Sequence, residues 1–273
     1  IRPEELPSGN CPRAARFARR ASLLRFGTGL RTLTSDDRMK LRLFTFPNIL
    51  TLCNLLSGCA AVIFALCIND LEQAFWCVLV AAVFDFLDGF AARLMEVSSP
   101  VGKELDSLAD MISFGLAPAS ILYSIYVATG GDELSGFAVF ILVAFSALRL
   151  AKFNLDERQA TEFIGLPTPA CAMFFASVGY IMQQNAAAAP PVAAIVASVV
   201  FSLLLISPIP MFALKFKHFD FAGNELRYIF LGISLVLLGL YQVRALPFII
   251  LAYILVSIVR FLIRRGKSPK ISA

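Results

Sequence analysis

From Pro47 onward the chain is a succession of apolar blocks, most of them near the thickness of a bilayer when helical, and this pattern constrains the fold more than any other feature. Eight blocks stand out: 47–68, 72–92, 104–127, 136–153, 168–184, 191–213, 227–243 and 246–263. Crossing hydrocarbon takes about 20 apolar residues in a helix. A backbone facing lipid must also satisfy its own hydrogen bonds, which a helix does within one segment. The fourth, fifth and seventh blocks are short, so their ends are the least defined. The expected fold is all-α, a polytopic integral membrane helix bundle. Composition agrees, with 58% hydrophobic and 16% charged residues against roughly half and a quarter in soluble domains.

The placement of charge sets an orientation. With the N-terminus inside, the interior ends and loops carry Arg93, Lys103, Arg149, Lys152, Arg158, Lys215, Lys217, Arg227, Arg264, Arg265, Lys267 and Lys270. The exterior loops carry Arg244 and little else that is positive. An excess of Lys and Arg marks the cytoplasmic side, so both termini are expected there. The net charge of +5 is thereby accounted for without a nucleic-acid partner. Residues 1–38 form a separate basic extension ahead of a membrane domain over 39–273. They suit an amphipathic helix on an anionic surface, an Arg-rich targeting peptide, or a segment foreign to the protein with Met39 as the true start. The last of these is favoured. Cys11, Cys53, Cys59, Cys67, Cys77 and Cys171 show no metal-type spacing and read as small hydrophobes rather than a disulfide framework. The single histidine, His218, reads as a surface or interfacial residue.

Against this apolar background, FDFLDGFAARLMEVSSPVGKELDSLADMISFG (residues 84–115) is anomalous. It places Asp85, Asp88, Asp106 and Asp110 at the end of the second block and the start of the third. An aspartate at the centre of a membrane helix costs roughly 2.5–3.5 kcal/mol, so four together require a cation, a water-filled cavity, or both. The orientation above puts them at the cytoplasmic edge. Spacings of three and four set each pair on one helix face, and the short EVSSPVG link makes an antiparallel pair that directs both faces into one space. Oxygen ligands without His or thiolate suit Mg²⁺ or Mn²⁺. Four carboxylates suffice for two ions, as in enzymes that displace phosphoryl groups. Gly89 carries two readings, close approach of a ligand to the backbone or small-residue helix packing; beside the aspartates, the ligand reading leads.

The pattern Asp85-x2-Asp88-Gly89-x2-Ala92-Arg93-x8-Gly102-x3-Asp106-x3-Asp110 resembles the motif of the CDP-alcohol phosphatidyltransferase family at all eight fixed positions. The segments FPNILTLCNLLSG, ELDSLADMISFGLAPA, RLAKFN and GLPTPA resemble the branch that uses serine as acceptor. The likeness runs from about Lys40 to Lys217. It implies a six-helix core, here followed by about two further transmembrane helices, and a homodimer in a bacterial inner membrane with its active site facing the cytoplasm. The implied substrates are CDP-diacylglycerol and L-serine, with phosphatidylserine and CMP as products. Residue by residue, it implies that Asp85, Asp88 and Asp106 hold one divalent cation and that Asp85, Asp106 and Asp110 hold a second. Asp110 would also be the general base. Gly89, Ala92, Arg93 and Gly102 would line the CDP pocket, with Ser99, Asn48 and Thr51 as further candidates.

For the serine carboxylate the candidates are Arg149, Lys152 and Asn154 in RLAKFN, and Lys103. Topology alone also explains a basic residue at a cytoplasmic helix end. Thr168, between Pro167 and Pro169, stands at a helix entrance, where those prolines suit helix-start geometry. Two other functions compete. The same chemistry on glycerol 3-phosphate or inositol phosphate calls for more basic residues than RLAKFN offers. An ion transporter calls for broken helices and related halves; no such repeat is visible, and the Gly89–Arg93 spacing would go unexplained.

Overall fold

The computed structural model describes residues 44–96, 100–155, 164–185, 189–211 and 224–266, with side chains as far as Ile263. The extension 1–38, Met39, Cys11, Ser99, Arg158, Lys215, Lys217, His218, Lys267 and Lys270 lie outside the described residues, as do the side chains of Arg264 and Arg265. All eight apolar blocks are helical, and no strand is present among the described residues. The helices are α1 (Phe46–Ile68), α2 (Leu71–Leu94), α3 (Pro100–Ala128), α4 (Glu133–Leu155), α5 (Thr168–Asn185), α6 (Pro191–Ile206), α7 (Glu225–Tyr241) and α8 (Leu246–Gly266).

Five helical stretches are long and apolar enough to cross a membrane: α1 to α4, and α7 running through a 3₁₀ turn into α8. Large apolar side chains such as Phe86, Leu94, Leu203 and Leu235 are exposed around the bundle. In water such a surface would associate; it fits a lipid environment. The interior is packed with apolar side chains, with Phe75, Phe114, Phe175, Ile121 and Leu142 fully buried and Phe174 stacked on Phe201 at 4.5 Å. Alanines at 61, 65, 74 and 81, all buried, let α1 and α2 approach closely, as small residues do between membrane helices.

Local chemistry sets the helix ends. Thr45 accepts from the Asn48 amide (3.4 Å) and Pro47 lies in the first turn of α1. Asp70 caps α2 by accepting from the Gln73 amide (3.0 Å), and Gln183 from α5 accepts from the amides of Leu71 and Glu72 at the same end. Asp132 caps α4, and its hydrogen bonds from the Ser135 amide and hydroxyl hold its carboxyl below the usual range. Such caps satisfy amides that have no partner inside the helix.

Several boundaries differ from the sequence expectation, the start of α3 at Pro100 rather than 104 among them, and two have a plain physical reason. The sixth block was expected to run to residue 213, but α6 stops at Ile206. Pro208 and Pro210 cannot supply helical amides, and Ser207, next to Pro208, is extended (ψ 148°), as the residue before a proline tends to be. The fourth helix starts earlier than expected, at Glu133, because Phe137–Phe140 form a 3₁₀ turn that joins a capped first turn to the long helix. The link into α5 is pinned to the end of α6. The Gly165 amide donates to the Ile209 carbonyl (2.9 Å) and the Leu166 amide to the Leu204 carbonyl (3.0 Å). Gly165 has φ +85°, and a Cβ there would meet the Leu205 carbonyl oxygen at 2.3 Å, so only glycine fits. This pinning fixes where α5 begins, with Thr168 buried next to α4. The C-terminal pair is the looser part: α8 packs on α5, while no residue of α7 is buried.

Candidate active site

The N-terminal end of α1, the C-terminal end of α2, the start of α3, the C-terminal end of α4 and the start of α5 meet at one end of the bundle. The antiparallel α2–α3 pair does there what the aspartate spacing predicts. Carboxylate oxygens of Asp85, Asp88 and Asp106 lie within 4.8 Å of one another. Asp88 is only 6% exposed. Among the described residues, the charges that act on Asp85 and Asp106 are those of the other aspartates rather than of a lysine or arginine. One oxygen of Asp106, Oδ1, is buried and has no hydrogen-bond partner at all. An ionised carboxylate is not left this way unless something binds it. The donor set is all oxygen, which suits a hard divalent cation. The residues present therefore fit the metal centre that the sequence implies.

Helix α1 supplies the neutral part of the centre. Its buried stripe begins with Asn48, Thr51 and Asn54 before turning apolar at Gly58 and Ala61. Thr51 Oγ1 donates to Asp88 Oδ2 at 2.6 Å, and Asn54 Nδ2 donates to Asp110 Oδ1 at 3.3 Å. Asn54 was not among the candidates read from the sequence. The signal was present, since polar residues at 48, 51 and 54 share one face of an otherwise apolar helix, but only the structure shows which acids they meet.

A cavity of about 480 Å³ opens beside the carboxylates. Its walls include Asn48, Thr51, Asp88, Gly89, Ala92, Arg93, Gly102, Lys103 and Asp106. Every CDP-pocket candidate within the described residues is thus brought to one cavity; Ser99 lies outside them. Gly89 decides between its two readings here. A Cβ at Gly89 would meet nothing within 4 Å, so no neighbouring helix needs the glycine. What it leaves open is the cavity. Arg93 is exposed, and its Nε donates to the Gly89 carbonyl (2.9 Å), holding the guanidinium at this wall.

Asp85 and Asp110 do not line that cavity. Near Asp110 the structure places Arg149, 8% exposed and close enough to Asp110 to interact electrostatically. Arg149 Nη1 donates to Thr168 Oγ1 (2.9 Å), and the guanidinium lies 5.7 Å from the Phe153 ring centroid. Its Nε is buried without a partner. The other acceptor candidates are arranged differently. Lys103 Nζ donates to the Asn154 carbonyl (3.1 Å), and Asn154 Nδ2 donates to Ser107 Oγ (2.7 Å). These two clamp α3 to α4, while Lys152 is exposed.

Comparison with known proteins supplies what geometry cannot. A family model described as CDP-alcohol phosphatidyltransferase matches residues 44–206, more than half of the chain. The chain belongs to the CDP-alcohol phosphatidyltransferase family. The match covers α1 to α6 and hence the whole of the site above; α7 and α8 lie beyond it. Among curated members of the family, a Helicobacter pylori protein is 37% identical over 133 residues, 48% of this chain and 55% of its own length. A Bacillus subtilis protein is 30% identical over 176 residues, 63% of this chain and 90% of its own length. A Saccharomyces cerevisiae protein is 32% identical over 175 residues, 58% of this chain and 62% of its own length. Each of the three is named CDP-diacylglycerol–serine O-phosphatidyltransferase. The match to the Helicobacter pylori relative spans little more than half of that protein's length.

Proposed function

We propose that this protein transfers a phosphatidyl group from CDP-diacylglycerol to the hydroxyl of L-serine, giving phosphatidylserine and CMP. The observation that carries the proposal is the cluster of Asp85, Asp88 and Asp106, one oxygen unpartnered, of which Asp88 and Asp106 line a cavity that Gly89 keeps open. The names of the relatives support serine as acceptor.

On this reading the cavity receives the cytidine diphosphate portion against Gly89, Ala92, Arg93 and Gly102, with Asn48 and Thr51 on the α1 side. Asp85, Asp88 and Asp106 would hold one divalent cation, and Asp85, Asp106 and Asp110 would hold a second. Mg²⁺ or Mn²⁺, when bound, neutralises pyrophosphate charge and stabilises the displaced phosphate. Arg93 adds a fixed positive charge at the same wall. Asp110 takes the proton from the serine hydroxyl. The serine oxygen then bonds to the phosphorus that bears diacylglycerol, the bond from that phosphorus to the CMP oxygen breaks, and CMP leaves with the electron pair. No cysteine or histidine of the motif offers a covalent carrier, so transfer is direct.

Arg149 binds the serine carboxylate. It is buried, held by Thr168, within electrostatic range of Asp110, and has a donor with no partner among the described residues. A single buried guanidinium suits a carboxylate better than the doubly charged phosphate of glycerol 3-phosphate. The excess of Lys and Arg on one side of the helices supports a site at the cytoplasmic face, and the family resemblance supports a bacterial inner membrane. The homodimer rests on the family resemblance, and cross-linking in native membranes tests it.

The test of the function is to give purified protein CDP-diacylglycerol, Mn²⁺ or Mg²⁺, and one acceptor at a time. CMP release with serine, and none with glycerol 3-phosphate or inositol phosphate, is the expected result. Release with a phosphorylated acceptor and none with serine overturns the choice of substrate.

A further inference from the structure

We propose that Asn54 is the positioning residue of Asp110, fixing the carboxylate so that one oxygen is left for the reacting proton. The proposal rests on the reading of Asp110 as general base. α1 and α3 are in tight contact around Gly58 and Ser113. A Cβ on Gly58 would come within 2.3 Å of Ser113 Oγ, and one turn earlier Ser113 Oγ donates to the Asn54 carbonyl (3.0 Å). Ser113 and Asn54 are both fully buried. The two helices are therefore locked together at the level of Asn54, by a hydrogen bond that engages a backbone acceptor of the α1 ladder.

The lock falls beside a change in helix type. Asp110 is the last residue of the ordinary α-helical run Pro100–Asp110, and Met111–Leu116 form a π-helical turn. Such a turn inserts a residue, rotates the helix on one side of it relative to the other, and recurs at functional sites. Ser113 lies within it. Asp110 thus sits between a widened turn fixed to α1 through Ser113 and the α-helical run that carries Asp106. Asn54 closes the arrangement, donating through Nδ2 to Asp110 Oδ1.

The amide is badly placed for stability. Its Oδ1 is buried with no partner, and an unsatisfied buried acceptor costs more than an apolar side chain of the same shape. Its side chain makes one hydrogen bond, to Asp110. That bond occupies Oδ1 of the carboxylate and leaves Oδ2 with no donor among the described residues. Unlike a lysine or arginine, the amide does this without neutralising the carboxylate.

The inference predicts a loss of turnover without a matching loss of stability. Asn54→Leu removes the unsatisfied acceptor but also takes the donor from Asp110 Oδ1; the two effects oppose, so thermal stability in detergent is expected to change little. The kcat for serine is expected to fall about 10- to 100-fold, the scale on which misplacing a reacting group by about 1 Å acts. The KM for CDP-diacylglycerol should stay within about twofold of wild type, and the Mn²⁺ affinity measured by calorimetry should fall far less than kcat, since Asp85, Asp88 and Asp106 are untouched. Ser113→Ala, which leaves Asp110 and Asn54 untouched, should show the same pattern more weakly, and stands in if Asn54→Leu does not fold. An Asn54→Leu or Ser113→Ala enzyme with wild-type kcat overturns the inference, as does a loss explained wholly by weakened Mn²⁺ or CDP-diacylglycerol binding. Asp110→Asn measured alongside separates the two levels. If it is inactive while Asn54→Leu is fully active, only the positioning role falls; if it retains turnover, the general base falls and the inference with it.

Discussion

At the scale of single residues, the informative changes are those that separate fold from function. Gly89 is the clearest. It lies inside α2, where alanine is preferred over glycine by up to ~1 kcal/mol, and a Cβ there meets nothing within 4 Å. Gly89→Ala is therefore expected to raise thermal stability slightly while weakening CDP-diacylglycerol binding. A melting curve and a substrate titration on the same sample check both halves. Asp110→Asn is expected to lower turnover by about 10²–10⁴-fold, the range for loss of a general base, with CDP-diacylglycerol binding retained. Arg149→Met removes a charge-assisted hydrogen bond of about 1.5–3 kcal/mol. The KM for serine should accordingly rise by about 10- to 100-fold, and lysine should not rescue it, because a point charge does not reproduce the fork held by Thr168. An unchanged serine KM in Arg149→Met would remove Arg149 from the acceptor site.

At the scale of helices and turns, sequence and structure divide in an instructive way. The aspartate pairs were legible because helical period alone puts residues three and four apart on one face, and a short link forces the two faces together. The cavity candidates were legible through the family motif. The α1 contribution was partly hidden: Thr51 stood out only as a pocket residue, and its bond to Asp88 joins positions that no local pattern connects. The π turn after Asp110 has no sequence signature of its own, since it depends on how α3 meets α1. The same is true of Lys103 and Asn154, which read as acceptor ligands by charge and position, yet each is engaged in the α3–α4 clamp. The GLP segment shows the reverse case. Its glycine was visible in the sequence, and the structure supplies the reason in a positive φ against the Leu205 carbonyl. Gly165→Ala should destabilise the protein by at least about 1 kcal/mol from backbone strain alone, and should raise the serine KM if Thr168 moves away from Arg149. A melting temperature equal to wild type would show that the segment can re-form without the glycine.

At the scale of the whole molecule, the described bundle carries its buried acids at one end and is apolar around its circumference, as the proposed transfer from a lipid-linked donor to a water-soluble acceptor requires. The site lies at the end opposite the Asp132–Ser135 cap. If loop charge sets the orientation as proposed, a cysteine at Glu133, in a background without native cysteines, should react with an impermeant maleimide from outside intact cells, and one at Lys152 should not. The central claim is that the four aspartates exist to hold divalent cations between the two substrates. Anomalous scattering from crystals of the protein soaked in Mn²⁺ tests it most directly. The account predicts two manganese peaks, one among Asp85, Asp88 and Asp106 and one among Asp85, Asp106 and Asp110, both lost in Asp85→Asn. Manganese bound elsewhere, or none at these carboxylates at saturating concentration, would contradict it.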